Sequence, residues 1–181
     1  YSLGGNFALR VALKAHGAGL SINKVVAVSP VISPANSLKA MEDSPGGYEG
    51  YYIKKWAKSI RRKQILFPDA YEYDLWHKLK GLREKTEFMA THHYEFETLE
   101  QYFDGYSIEG DRLASLEVPA TILTSEDDMV VPVDDFRDLP DNDKIELLVT
   151  RYGGHCAFLK NWKMESWADD LIVDRVLESF R

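Results

Sequence analysis

A chain of 181 residues with 22 basic and 29 acidic side chains carries a formal net charge of −7. That balance excludes a broad nucleic-acid-binding face, which needs clustered positive charge, and 45% hydrophobic with 12% aromatic residues excludes a disordered chain. The single cysteine, Cys156, excludes an intramolecular disulfide and a cysteine-based metal site and fits a reducing, cytoplasmic setting, while no apolar run approaches the ~20 residues needed to span a bilayer.

In chain order, Tyr1-Ser2-Leu3-Gly4-Gly5-Asn6 leads into a predicted helix from Phe7 to His16. Its apolar residues Phe7, Val11 and Ala15 are one turn apart, and Gly17 and Gly19 can stop it. Val25-Val26-Ala27-Val28 and Ala120-Thr121-Ile122-Leu123 are continuous apolar runs, the pattern of strands buried on both faces of a parallel sheet. Residues 145–149 supply a third strand. Each run ends in turn chemistry: Ser29-Pro30, Ser125-Glu126-Asp127-Asp128 and Tyr152-Gly153-Gly154. Near the end, Trp167, Leu171, Ile172, Val176 and Leu177 fall on one helical stripe. Strands alternating with helices predict an α/β fold with a mostly parallel sheet.

Residues 31–116 break that alternation. They hold no buried strand pattern, are rich in aromatics such as Tyr48, Trp56, Tyr73 and Trp76, and predict helices over 48–63, 73–79, 98–102 and 111–116. The expected organisation is one domain over 1–181 with a helical cap inserted at 31–116.

The chemistry gathers at the strand ends. Ser2-Leu3-Gly4-Gly5 matches the second half of a G-x-S-x-G nucleophile elbow, where the serine sits on a sharp strand-to-helix turn. Small neighbours let the chain pass closely, and the helix N-terminus points amides at a developing oxyanion. Leu3 N–H, directly after the nucleophile, is the expected oxyanion donor. Past the second strand, a carboxylate four residues before Pro132 selects Asp128 over Asp127, although Asp is also a common turn residue. Past the third, Gly153-Gly154-His155 offers a histidine on a glycine-flanked loop. Ser2, Asp128 and His155 thus follow the order Ser…Asp…His, which separates this arrangement from the chymotrypsin and subtilisin orders.

These segments resemble the YheT-like esterases and abhydrolase-domain lipases of the α/β-hydrolase superfamily. The matching pieces are Ser2-Leu3-Gly4-Gly5-Asn6, Val118–Leu123, Asp127-Asp128, Gly153-Gly154-His155-Cys156-Ala157-Phe158 and Trp167, with only a loose match in the cap. The resemblance implies an α/β-hydrolase fold and a serine esterase working without a cofactor or metal on a small ester or acyl lipid. It also implies early strands and a second oxyanion donor upstream of Tyr1. At roughly 30 residues per strand and crossover, that upstream part amounts to about 100 residues or more. The expectation is therefore a C-terminal part that is inactive by itself.

Two alternatives share these residues. An acyltransferase would use the same triad with an alcohol or thiol in place of water, and a non-catalytic scaffold would keep the fold without turnover. Elsewhere, Lys54, Lys55, Lys58, Arg61, Arg62 and Lys63 lie on a helix opposite Ile53, Trp56, Ala57 and Ile60. Such a face is either a solvated surface or a peripheral contact with anionic lipid. His92-His93 has no further Cys or His partner in sequence, so no metal is expected.

Overall fold

In the computed structural model, β2 (Ala120–Ser125) forms the middle of a sheet in the order β1-β2-β3. β1 (Val25–Val28) and β3 (Ile145–Thr150) pair with it in parallel, with Val25 opposite Ala120 and Ala120 opposite Ile145. The structure describes residues 1–45, 47–69 and 73–178. Every residue of β2 is buried, which explains its unbroken apolar run. The third strand, expected only as a strand, has a different setting. Glu146, Leu147 and Val149 are exposed, because β3 pairs on one side only among the described residues.

The chain divides into two compact units, residues 1–37 with 106–181, and residues 38–105. The sheet unit contains α1 (Ser2–Ala15), which begins five residues earlier than expected, at the serine itself. Its buried face is Gly5, Asn6, Leu9, Ala12 and Ala15 rather than the Phe7 stripe, and Phe7 is exposed. Phe158, Val28, Leu123 and Ala168 form a core cluster near the strand ends. Trp167, Leu171 and Ile172 of α7 (Trp167–Glu178) pack on it, whereas Val176 and Leu177 are exposed. The apolar stripe of α7 is therefore covered only in its first half. The helix expected over 111–116 is a short 3₁₀ turn, Gly110–Leu113, entered through Gly110 at φ +60°.

The helical unit takes in α3 (Tyr48–Leu66), α4 (Asp74–Lys78), α5 (Gly81–His92) and α6 (Leu99–Asp104). Its core is Ile60, Tyr73, Trp76, Phe88 and Met89, flanked by Trp56, Ala57 and Leu79. Several of the aromatics singled out in sequence are thus packing residues. Two helices had no sequence expectation. α2 (Pro34–Asp43) starts with proline at its first position and Ser33 Oγ accepting from Asn36 N–H, a start signal present in the sequence. The start of α5 is completed from a distance, where Glu49 Oε1 accepts from Leu82 N–H at 2.7 Å.

Candidate active site

The site begins with strained backbone. Ser2 has φ +50°, a left-handed conformation that a non-glycine residue adopts at a cost and that sharp functional turns hold in place. Gly5 shows how tightly the elbow sits: a Cβ there would lie 3.1 Å from Pro30 Cβ and 3.4 Å from Ala27 Cβ. Gly4 is different, since a Cβ there meets nothing within 4 Å. Of the two glycines, only Gly5 is required by close approach of α1 to β1.

Two residues missed in sequence fix the elbow from either side. Asn6, fully buried, donates from Nδ2 to Val31 O and Tyr106 O, both at 2.8 Å. Tyr1 donates its hydroxyl to Asp169 Oδ1 at 2.8 Å. Burial and that carboxylate push the Tyr1 phenol up to about 12.

Ser2, His155 and Asp128 come together, although 153 residues separate the first two in sequence. His155 Nε2 lies 3.0 Å from Ser2 Oγ. On the other side of the ring, Nδ1 lies 3.0 Å from Asp128 Oδ2 and 3.1 Å from Oδ1. The Asp128 side chain is fully buried, and Oδ1 also accepts from Val130 N–H at 2.8 Å and Val131 N–H at 2.9 Å. Those donors keep it aimed at the ring. Burial pushes the His155 imidazole down, but its hydrogen bond to Asp128, assisted by Cys156 and by the Asp128 charge, outweighs it and holds the ring at about 9. Because Asp128 accepts a hydrogen bond from Nδ1–H, the neutral ring presents Nε2 as a base toward Ser2. Leu3 follows in the first turn of α1, where helix geometry provides no carbonyl partner for its N–H.

Asp127, set aside in sequence in favour of its neighbour, is also engaged. Its Oδ1 accepts from Gly153 N–H at 2.9 Å and Gly154 N–H at 2.8 Å. Burial raises its carboxyl pKa, but its hydrogen bonds, the one from Gly154 N–H foremost, lower it and win. Gly153 cannot carry a side chain, since a Cβ would fall 2.4 Å from the Phe158 ring, and this close approach accounts for the Gly-Gly-His-x-x-Phe spacing. The described residues hold no group of three or more His, Cys, Asp or Glu able to bind a metal ion. No described helix is long and apolar enough to cross a membrane.

The fold is thus of the α/β class, a parallel sheet flanked by helices, with Ser2 at a strained turn and Asp128 and His155 on loops after β2 and β3. The chain is similar to human phospholipase ABHD3, 26% identical over 137 residues covering 72% of this chain and 32% of that protein. The mouse protein of the same name matches with the same identity and 31% coverage. This chain therefore spans about a third of the length of the curated relatives it matches. No family model matches. Among solved structures, a monoacylglycerol lipase from Paleococcus ferrophilus aligns with TM-score 0.48 and 16% identity over 98% of this chain and 66% of that one. An acetyl xylan esterase from Thermoanaerobacterium aligns with TM-score 0.47 and 17% identity over 99% of this chain and 44% of that one.

Proposed function

We propose that the chain carries the catalytic residues of a serine hydrolase acting on carboxylic esters. The observation that carries this reading is His155 bridging Ser2 and Asp128, at 3.0 Å on each side. Ser2 Oγ attacks the ester carbonyl carbon while His155 Nε2 takes its proton. The carbonyl oxygen becomes an oxyanion that Leu3 N–H, at the positive end of α1, is placed to stabilise. Collapse breaks the C–O bond to the alcohol, which leaves with the proton from Nε2, and the acyl group stays on Ser2. Water then attacks the acyl-enzyme with His155 as base, releasing carboxylic acid and free Ser2. Asp128 holds the ring in the working tautomer and offsets its charge throughout.

An acyl lipid is the favoured substrate class, because the curated relatives are named phospholipases. The test is pre-steady-state hydrolysis of a p-nitrophenyl ester by the full-length protein that contains this chain, the form used in every assay below. The proposal expects a nitrophenolate burst near one equivalent and an acyl adduct on the Ser2 peptide by mass spectrometry. Steady turnover without an adduct, or an adduct elsewhere, would overturn it. Adding an alcohol or thiol acceptor decides between hydrolysis and acyl transfer, since the transferase alternative diverts the acyl group to the acceptor.

A second reading concerns a peripheral membrane contact through Lys54–Lys63. All six cations on this stretch of α3 are exposed, and at its end Ile65, Leu66 and Phe67 are 79%, 59% and 54% exposed. Apolar residues beside clustered cations suit an anionic lipid surface. Sedimentation with vesicles should rise with anionic lipid content and fall when Lys54, Lys55 and Lys58 are reversed to Glu. Binding that ignores both changes would dismiss the contact.

A further inference from the structure

The turn after β2 carries two adjacent carboxylates with divided tasks. Asp128 holds the imidazole of His155, and Asp127 holds the backbone just before it. Ser125, at the end of β2, donates its hydroxyl to Gly154 O at 3.2 Å, so Gly154 is gripped at both its N–H and its carbonyl by one short turn. The gripped backbone is otherwise strained. Gly154 has φ +55°, Cys156 +69° and Phe158 +45°, all in the left-handed region, two of them at non-glycine residues. Beyond His155 the loop closes on itself, with Ala157 N–H and Phe158 N–H both donating to Gly153 O, at 3.2 and 2.9 Å. A loop in this conformation needs outside anchors, and those before the histidine come from Asp127 and Ser125.

We infer that Asp127 is a positioning residue for His155: it locks the Gly153-Gly154 backbone to the same turn that presents Asp128, so ring and acid keep register. The ring and its supporting backbone hang on neighbouring residues of one turn. Motion of that turn then carries both together, and the short Nδ1 contact survives. The inference rests on the proposed triad. It adds that the second carboxylate acts through hydrogen-bond acceptance rather than charge. One oxygen, Oδ1, takes both N–H bonds, so an amide oxygen in the same place can do the same. Asp127 is itself solvent-exposed, which marks it as a backbone anchor and not a buried counter-ion.

The test compares Asp127→Asn, which keeps the acceptor, with Asp127→Ala, which removes it. Two readouts apply: kcat and KM on a p-nitrophenyl ester across pH, and the NMR resonance of the His155 Nδ1 proton. Asp127→Ala should lower kcat by roughly tenfold to a hundredfold with KM within about twofold, the scale expected for a misplaced catalytic group. It should also broaden or remove the Nδ1 proton signal and move the ascending limb of the pH profile to lower pH. Asp127→Asn should stay within about threefold of wild type and keep the signal. Ser125→Ala, a milder release of the same loop, covers the case in which Asp127→Ala does not fold; it should shift kcat and the signal in the same direction by less. The inference fails if Asp127→Ala, or Ser125→Ala in its place, lowers only the melting temperature. It also fails if Asn is as damaging as Ala. Should the wild type prove catalytically silent, the triad reading fails separately, and the Nδ1 proton comparison still decides the role of Asp127.

Discussion

Two buried charges, one in each unit, are satisfied in opposite ways. Asp128 in the sheet unit accepts two backbone N–H bonds and a third from His155, whose other nitrogen contacts Ser2. Lys85 in the helical unit, only 4% exposed, donates to Trp76 O at 2.7 Å and lies 4.1 Å over the Trp76 ring, while Trp76 Nε1 donates back to Lys85 O. The first charge is tied into a chain of titratable groups. The second is closed off between one aromatic ring and one carbonyl. Burial of a charge alone does not announce chemistry; what the charge touches does.

That contrast is breakable. Asp128→Asn should produce the largest effect, a fall in kcat of about 10³ to 10⁴, as in other triads that lose the acid's control of the tautomer. Removing the carboxylate also lets the His155 ring fall back toward its ordinary range, which supplies more neutral base at pH 7. The net loss therefore measures orientation against proton availability. Comparable kcat in Asp128→Asn and wild type would erase the distinction between the two buried charges.

Next in size is the dependence on pH. With the ring held at about 9, only about 1% of His155 is neutral at pH 7. kcat/KM should therefore rise about fiftyfold from pH 7 to pH 9 and level off above pH 10 at about a hundredfold over its pH 7 value. A profile already flat at pH 7 would show that Asp128 does not raise the ring. The stability consequence has the opposite sense. A raised pKa stabilises the fold while the ring is protonated. That contribution is complete below about 6.5 and disappears as pH climbs through about 9, a loss visible in denaturant midpoints.

The smallest effect belongs to Lys85, and it should be confined to stability. Burial lowers its pKa, with Glu84 opposing. Lys85→Met keeps the stem and removes only the charge, and Leu79 N–H still donates to Trp76 O at 3.3 Å. A change within about 1 kcal/mol is expected. Lys85→Ala opens a cavity and should cost about 2 kcal/mol or more. If Met were as damaging as Ala, the cation itself would matter.

Sequence made the sheet unit legible, because Asp128 and His155 each follow a strand that ends just before them, while Ser2 is announced by the Ser-Leu-Gly-Gly run that opens α1. The Val25–Val28 and Ala120–Ser125 runs are continuous because both are largely buried. What stayed hidden depends on distance. Asn6 looks like an ordinary early helix residue until Val31 and Tyr106 are beside it. Asp127 and Asp128 are alike in composition and differ only in which part of the 153–155 loop each meets. Ser33-Pro34, in the sheet unit, carries a local helix-start signal. The beginning of α5 instead depends on Glu49, whose contact lies 33 residues away.

The central claim is that the His155–Asp128 pair makes Ser2 a nucleophile. Labelling by a fluorophosphonate probe, with Ser2→Ala as the paired control, tests it most directly. The account predicts a stoichiometric phosphonyl adduct on Ser2 that is absent in Ser2→Ala and slows severely in Asp128→Asn. A folded wild-type protein that takes up no probe, or equal labelling of the Ser2→Ala variant, would contradict it.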